Sequence, residues 1–139
     1  MERVGKLEEA ARYLLKAIEL KPEFAEALNH LGYMWADRGE NLERAHEMIR
    51  KAVDAEPENE AYLDSLGWVL FKLGKAEEAL PWLEKSLKLL EKPDATIHDH
   101  LGDVLSALKR WKEAAEQYRK SLAVEPSEAI QKKLDLLPK

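Results

Sequence analysis

The chain has 139 residues, 35% of them charged, and a formal net charge of -5. That balance argues against nucleic acid or an anionic membrane as the main partner, since both select a basic face. Cysteine is absent, which excludes disulfides, thiol catalysis and cysteine-based zinc sites, and no apolar run nears the roughly 18 residues of a membrane span.

The first residues, MERVGKLEEA, are charged and already helical in pattern, so no signal peptide is expected in this chain. Leu7, Ala10, Leu14, Ala17 and Ile18 recur in steps of three, four and one and predict a helix over Lys6–Leu20, ended by Pro22. A second helix is predicted over Phe24–Arg38 and a third over Leu42–Ala55, joined by Arg38-Gly39-Glu40-Asn41. The fourth, Glu60–Leu73, carries the stripe Leu63, Leu66, Leu70 and Leu73; after Gly74 and Lys75 the pattern restarts over Ala76–Leu90 with Ala76, Ala79, Leu80, Leu83, Leu87 and Leu90. Pro81 lies inside that fifth segment and removes one backbone hydrogen bond, which predicts a slight bend. Helices are predicted over Ala95–Leu108, with Asp94 as N-cap, and over Trp111–Val124, where Trp111 reads as a core filler. A last helix over Ser127–Leu136 starts on a good N-cap, Ser127, and has a narrow apolar stripe of Ile130, Leu134 and Leu137, which suits a terminal cap with a polar outer face.

These segments repeat. Leu31-Gly32, Leu66-Gly67 and Leu101-Gly102 are spaced by 35 residues, each followed by a second helix with Ala45 and Ile49, Ala79 and Leu83, or Ala114 and Tyr118, and Ala10 with Leu14 gives one more copy. Pro22, Pro57 and Pro126 each close a second helix. A fixed period of this size means a solenoid of one supersecondary unit, here a pair of amphipathic helices that needs neighbours to bury its stripes. The glycines at 32, 67 and 102 are expected at close contacts between paired helices.

The strings Leu28-x2-Leu31-Gly32-x2-Trp35, Ala45-x3-Ile49, Pro57 and their later copies resemble the tetratricopeptide-repeat (TPR) family over nearly the whole chain, and the wording of the segments is similar to bacterial multi-repeat members. The resemblance implies an all-α, right-handed TPR superhelix of antiparallel helix pairs, about three and a half repeats plus a C-terminal capping helix. The expected division is a single domain over 1–139, with a partial repeat at 1–23, full repeats at 24–59, 60–94 and 95–126, and a cap at 127–139. Gly5 takes the place of Gly39 and Gly74, so a turn is expected there, the chain beginning inside a repeat as a fragment of a longer array. Leu7, Leu14 and Ile18 would then lack cover, which predicts self-association through this end or fraying of Met1 to Gly5.

Chemistry has little to stand on. No nucleophile elbow, phosphate loop or zinc motif is present. His30 and His100 share a slot two repeats apart, on the order of 20 Å, too far to share an ion. His98 fills the place of Leu28 and Leu63 and reads as a packed, hydrogen-bonded core histidine. Asp99 and Asp103, four apart, offer two carboxylates to a cation, but a solvated acidic face is the commoner meaning. No cofactor or metal is expected, and no enzyme.

The first helices carry the functional expectation. With Leu66 at the centre of its core stripe and 100° per residue, Ala61, Asp64, Trp68 and Phe71 fall on the opposite side. Counting by 35 gives a proposed peptide-binding groove of Asn29, Tyr33, Asp64, Trp68, Phe71, Lys72, Asp99 and Asp103. TPR helices in this position line a concave groove for an extended peptide or a helix; the alternative for Trp68 and Phe71 is packing between repeats. Members that clamp C-terminal carboxylates use Lys, Arg and Asn here, and only Lys72 and Asn29 fit among several acids. The expected partner is a protein or peptide segment bearing Lys or Arg beside apolar anchors, and the expected role a non-catalytic scaffold in the cytoplasm or cell envelope. The rival reading is a structural module that joins copies through exposed repeat ends.

Overall fold

The computed structural model describes the backbone of residues 2–138, and their side chains other than those of residues 2–5 and 7. Among the described residues the chain forms α1 (Glu2–Leu20), α2 (Ala25–Arg38), α3 (Leu42–Ala55), α4 (Glu60–Lys72), α5 (Ala76–Leu89), α6 (Ala95–Ala107), α7 (Trp111–Val124) and α8 (Glu128–Asp135), with no strand. Helix α2 pairs with α3, α4 with α5 and α6 with α7; α1 packs on α2, α8 on α7, and successive pairs stack through α3 on α4 and α5 on α6.

The pairs form because each stripe finds its complement and each turn has residues that tolerate it. Gly39 and Gly74 adopt φ of 70° and 83°, left-handed values that glycine takes without a Cβ clash. The third turn has no glycine, and Lys109 takes φ of 63° there. Asn59, Asp94 and Ser127 cap α4, α6 and α8, each side chain accepting a hydrogen bond from the backbone N–H three residues on. Such a cap contributes about 1 kcal/mol. The expected close contacts are present. A Cβ on Gly32 would sit 2.6 Å from Ile49 Cγ1, one on Gly67 would sit 2.5 Å from Leu83 Cγ, and one on Gly102 would run into the Tyr118 ring.

Leu31, Ile49, Leu63, Leu66, Val69, Leu83 and Val104 are fully buried in a core that runs from α2 to α6, and Leu105, Ala114 and Tyr118 form a second cluster between α6 and α7. Each Leu or Ile so buried contributes about 1.5–3 kcal/mol. Two buried serines tie α5 and α7 to the starts of their partner helices: Ser86 Oγ donates to the Glu60 carbonyl and Ser121 Oγ to the Ala95 carbonyl, both at 2.7 Å.

Two expectations change, and a third falls partly outside the described residues. Gly5 lies inside α1, which is helical from Glu2, so no turn occurs there; running straight on satisfies the backbone in regular helical bonds at a cost of about 1 kcal/mol for the glycine. Met1 and the Leu7 side chain, on which part of the N-terminal expectation rests, lie outside the described residues, while Leu14 and Ile18 are half-buried against the core. Trp111 is only half-buried and borders an open cleft with Ala115, Leu134 and Leu137. Pro81 is accommodated within α5. No helix among the described residues is long and apolar enough to cross a membrane.

Candidate binding surface

Helices α2, α4 and α6 lie side by side, and they carry every residue of the proposed groove. Asn29 and Tyr33 sit half-buried on α2. Asp64 and Trp68, on α4, are only 8% and 6% exposed, whereas Phe71 and Lys72 are half-buried. Asp99 and Asp103 are half-buried on α6.

Burial of Trp68 follows from a residue outside the expected groove. His100, the α6 residue facing α4, stacks flat on the Trp68 indole at 3.9 Å between ring centres and 15° between planes. The Phe71 ring lies 5.2 Å away within the same helix. Trp68 Nε1–H donates to Asp37 Oδ1 of α2 at 3.2 Å, and the Lys72 ammonium rests 5.0 Å above the indole. The indole therefore bridges α2, α4 and α6 with its hydrogen-bonding capacity used. One face of Trp68 is covered by His100, and its contacts are those of packing between repeats, the alternative its sequence position offers.

His100 is fixed from its other side. Its Nδ1 lies 2.8 Å from Asp64 Oδ1, and because an ionised carboxylate only accepts, the imidazole donates. The Tyr33 ring closes over the same imidazole at 6.3 Å. Burial raises the pKa of the Tyr33 hydroxyl, and the charges of Asp37, Asp64, Asp99 and Asp94 raise it further, so the local potential is negative.

The acidic line on α6 is not free either. Lys133 of α8 sits 2.9 Å from Asp99 Oδ1 and 3.1 Å from Asp103 Oδ1, and Tyr118 donates its hydroxyl to Asp103 at 2.7 Å. Burial lowers the Lys133 pKa, but hydrogen bonds and charge from Asp99 and Asp103 outweigh it and the net shift is upward. Burial, then the hydrogen bond to Asp103, pushes the Tyr118 hydroxyl up as well. The two carboxylates thus meet a cation from their own chain rather than forming a solvated acidic face. His98 is buried with Nδ1 2.7 Å from Gln117 Oε1. No three His, Asp or Glu side chains gather as metal ligands among the described residues.

What stays open lies at the other end of the surface. A cleft of about 330 Å³ opens between α2, α4 and α6, bordered by Asn29, Tyr33, Glu60, Ala61, Asp64, Ser65, Leu90, Asp94, Thr96 and Ile97. Among the described residues its border has three carboxylates and no lysine or arginine. Of the expected groove it unites Asn29, Tyr33 and Asp64; Phe71 and Lys72 stand apart, around Trp68.

A family model described as tetratricopeptide repeat matches residues 2–41 and 38–96, more than half of the chain. The chain belongs to the tetratricopeptide-repeat family. No curated protein matches it. Among solved structures, MamA 41-end from Desulfovibrio magneticus RS-1 is 26% identical, with 95% of this chain and 74% of that one covered at a TM-score of 0.76. TTC0263, a thermophilic TPR protein of Thermus thermophilus, is 21% identical, covering 96% and 73% at 0.76. The first TPR of Spaghetti (RPAP3), bound to the HSP90 peptide SRMEEVD, is 22% identical, covering 80% and 87% at 0.72. The fold is thus a right-handed TPR superhelix. TPR domains are protein-interaction modules and in general non-catalytic scaffolds.

Of the residues that shape the surface, His100, Asp37, Ser65 and Lys133 were absent from the sequence-based groove. His100 had a signal in its spacing from His30. Lys133 had one in its distance from the Ser127 cap, which equals that of His100 from Asp94.

Proposed function

We propose that the concave side formed by α2, α4 and α6 binds a polypeptide segment, extended or helical, and that the protein acts as an interaction scaffold. The observation that carries this reading is the open cleft between these three helices, whose bordering residues include Tyr33, Ala61 and Leu90 for apolar contact and Glu60, Asp64 and Asp94 for charge. Interfaces draw affinity from a few apolar or aromatic contacts and selectivity from complementary charge. The RPAP3 domain holds the peptide SRMEEVD, whose end is acidic. The acidic border of this cleft favours the opposite charge, a basic segment.

Ala61 is exposed at the cleft, so Ala61→Arg obstructs it with no loss of core. A random peptide library panned on the wild-type protein should yield clones that fail to bind this variant and still bind Lys51→Glu, altered on exposed α3 surface. Clones indifferent to Ala61→Arg would place binding elsewhere.

A second reading is self-association through α1. Ala10 occupies the slot of Ala45, Ala79 and Ala114, which are all fully buried, yet it is half-exposed, and Tyr13 and Leu20 on the same helix are exposed. Exposed apolar stripes tend to find partners. Light scattering on Tyr13→Lys with Leu20→Lys tests it: a mass that falls to the monomer supports the reading, and a wild type already monomeric at high concentration removes it.

A further inference from the structure

The first helices are cross-linked by a ladder of equivalent positions. Six residues beyond the N-cap positions Phe24, Asn59, Asp94 and Ser127 stand His30, Ser65, His100 and Lys133, and one residue earlier stand Asn29, Asp64, Asp99 and Lys132. In two rungs, a nitrogen donor on the later helix reaches an oxygen on the earlier one. His100 reaches Asp64 at 2.8 Å, and Lys133 reaches Asp99 at 2.9 Å.

The rung between α2 and α4 is unmade. Its acceptor is Asn29, but the facing position holds Ser65, which is too short and donates to its own helix at Ala61 O instead, at 3.0 Å. Among the described residues Asn29 Oδ1 is buried with no hydrogen-bond partner. A buried acceptor without a donor is costly and rare in a folded protein. The cleft of about 330 Å³ opens at this gap, and Asn29 and Ser65 both border it. Glu60, Asp64 and Asp94 surround the gap with no basic side chain among its bordering residues, and the Tyr33 hydroxyl beside it is held protonated by burial and by carboxylate charge.

We propose that this gap is a pocket for one cationic side chain, lysine or arginine, of the polypeptide bound on the concave side. On binding, the Asn29 amide turns to present Oδ1, which has almost no accessible surface as it stands, to an N–H of that side chain; this completes the ladder from outside, as Lys133 completes it from within at Asp99. A neutral donor would satisfy Asn29 alone; a cation also answers the three carboxylates. This rests on the concave-side reading and narrows it to one pocket and one chemical class.

The test uses four pools of capped peptides with a fixed central lysine, arginine, acetyl-lysine or norleucine between random flanks, measured by fluorescence polarisation on the full chain. The lysine and arginine pools should bind wild type about tenfold or more tightly than the acetyl-lysine and norleucine pools, as loss of a charged hydrogen bond implies. Asn29→Leu should abolish that preference. Ser65→Lys, which supplies an internal donor as Lys133 does, should abolish it independently, and circular dichroism shows which variants are folded. Equal binding of all four pools, still lost in Ala61→Arg, would overturn the pocket and leave the concave-side reading intact. A cation preference that survives in folded Asn29→Leu would also overturn it. Binding unaffected by Ala61→Arg would bring down the concave-side reading itself.

Discussion

Replacing Trp68 by alanine distinguishes a packing role from a ligand-anchoring one. The indole is 6% exposed, is stacked on His100 at 3.9 Å, and donates to Asp37. Truncating a buried Trp costs about 3–5 kcal/mol, the lost contacts plus the cavity left behind. Unfolding entropy near 2.1 cal/mol/K per residue, over 139 residues, gives about 0.3 kcal/mol/K, so Tm should fall by about 10–17 °C. Trp68→Phe keeps an aromatic face for His100 and loses the bond to Asp37, which should cost about 1–2 kcal/mol. Thermal and urea unfolding followed by circular dichroism, with agreement between the two as the check on two-state behaviour, measures both. A Tm drop of less than about 3 °C for Trp68→Ala, below 1 kcal/mol for a chain of this size, would refute the placement of the indole between the repeats.

Gly67→Leu should destabilise by about 1–3 kcal/mol or more, because even a Cβ would sit 2.5 Å from Leu83 Cγ, with Leu83 fully buried; urea midpoints check it. Lys133→Met should loosen α8, seen as faster amide exchange there, with a small change in global stability: Lys133 is 38% exposed, so screening holds its ion pair to about 0.2–1 kcal/mol. The folded-state pKa of Lys133 is raised, so its contribution is complete below the ordinary value of 10.5 and is lost as pH rises through the folded value; the stability gap between wild type and Lys133→Met should close at alkaline pH and stay constant near neutrality. Asp99→Asn with Asp103→Asn should have the same effect on α8 exchange as Lys133→Met, and little added effect when combined with it, in a double-mutant cycle.

The helical frame was legible because it depends on periodicity and local chemistry. The leucine stripes fix which face of each helix is buried, the caps at Asp94 and Ser127 fix two starts, and Gly32, Gly67 and Gly102 mark where paired helices touch. Gly5 misled because a glycine marks a turn only when the following packing requires one. The surface was less legible because it is decided between helices. A helical wheel places Trp68 opposite Leu66, but its exposure depends on the residue α6 sets against it, and His100 covers it. The same wheel makes Asp99 and Asp103 an acidic face, and only the seating of α8 brings Lys133 onto them. The gap at Asn29 comes from the shortness of Ser65, which gains meaning only beside His100 and Lys133 at equivalent positions.

The central claim is that the side formed by α2, α4 and α6 takes a basic polypeptide segment. Amide and side-chain NMR shifts, followed while the tightest lysine-pool peptide is titrated into the isotopically labelled protein, test it most directly. The largest changes should fall on Asn29, Tyr33, Ala61, Ser65 and Thr96, including the Asn29 side-chain amide, with α3 and α5 unmoved. Changes concentrated on α3 and α5, or at the cleft around Trp111 and Leu137, would contradict it.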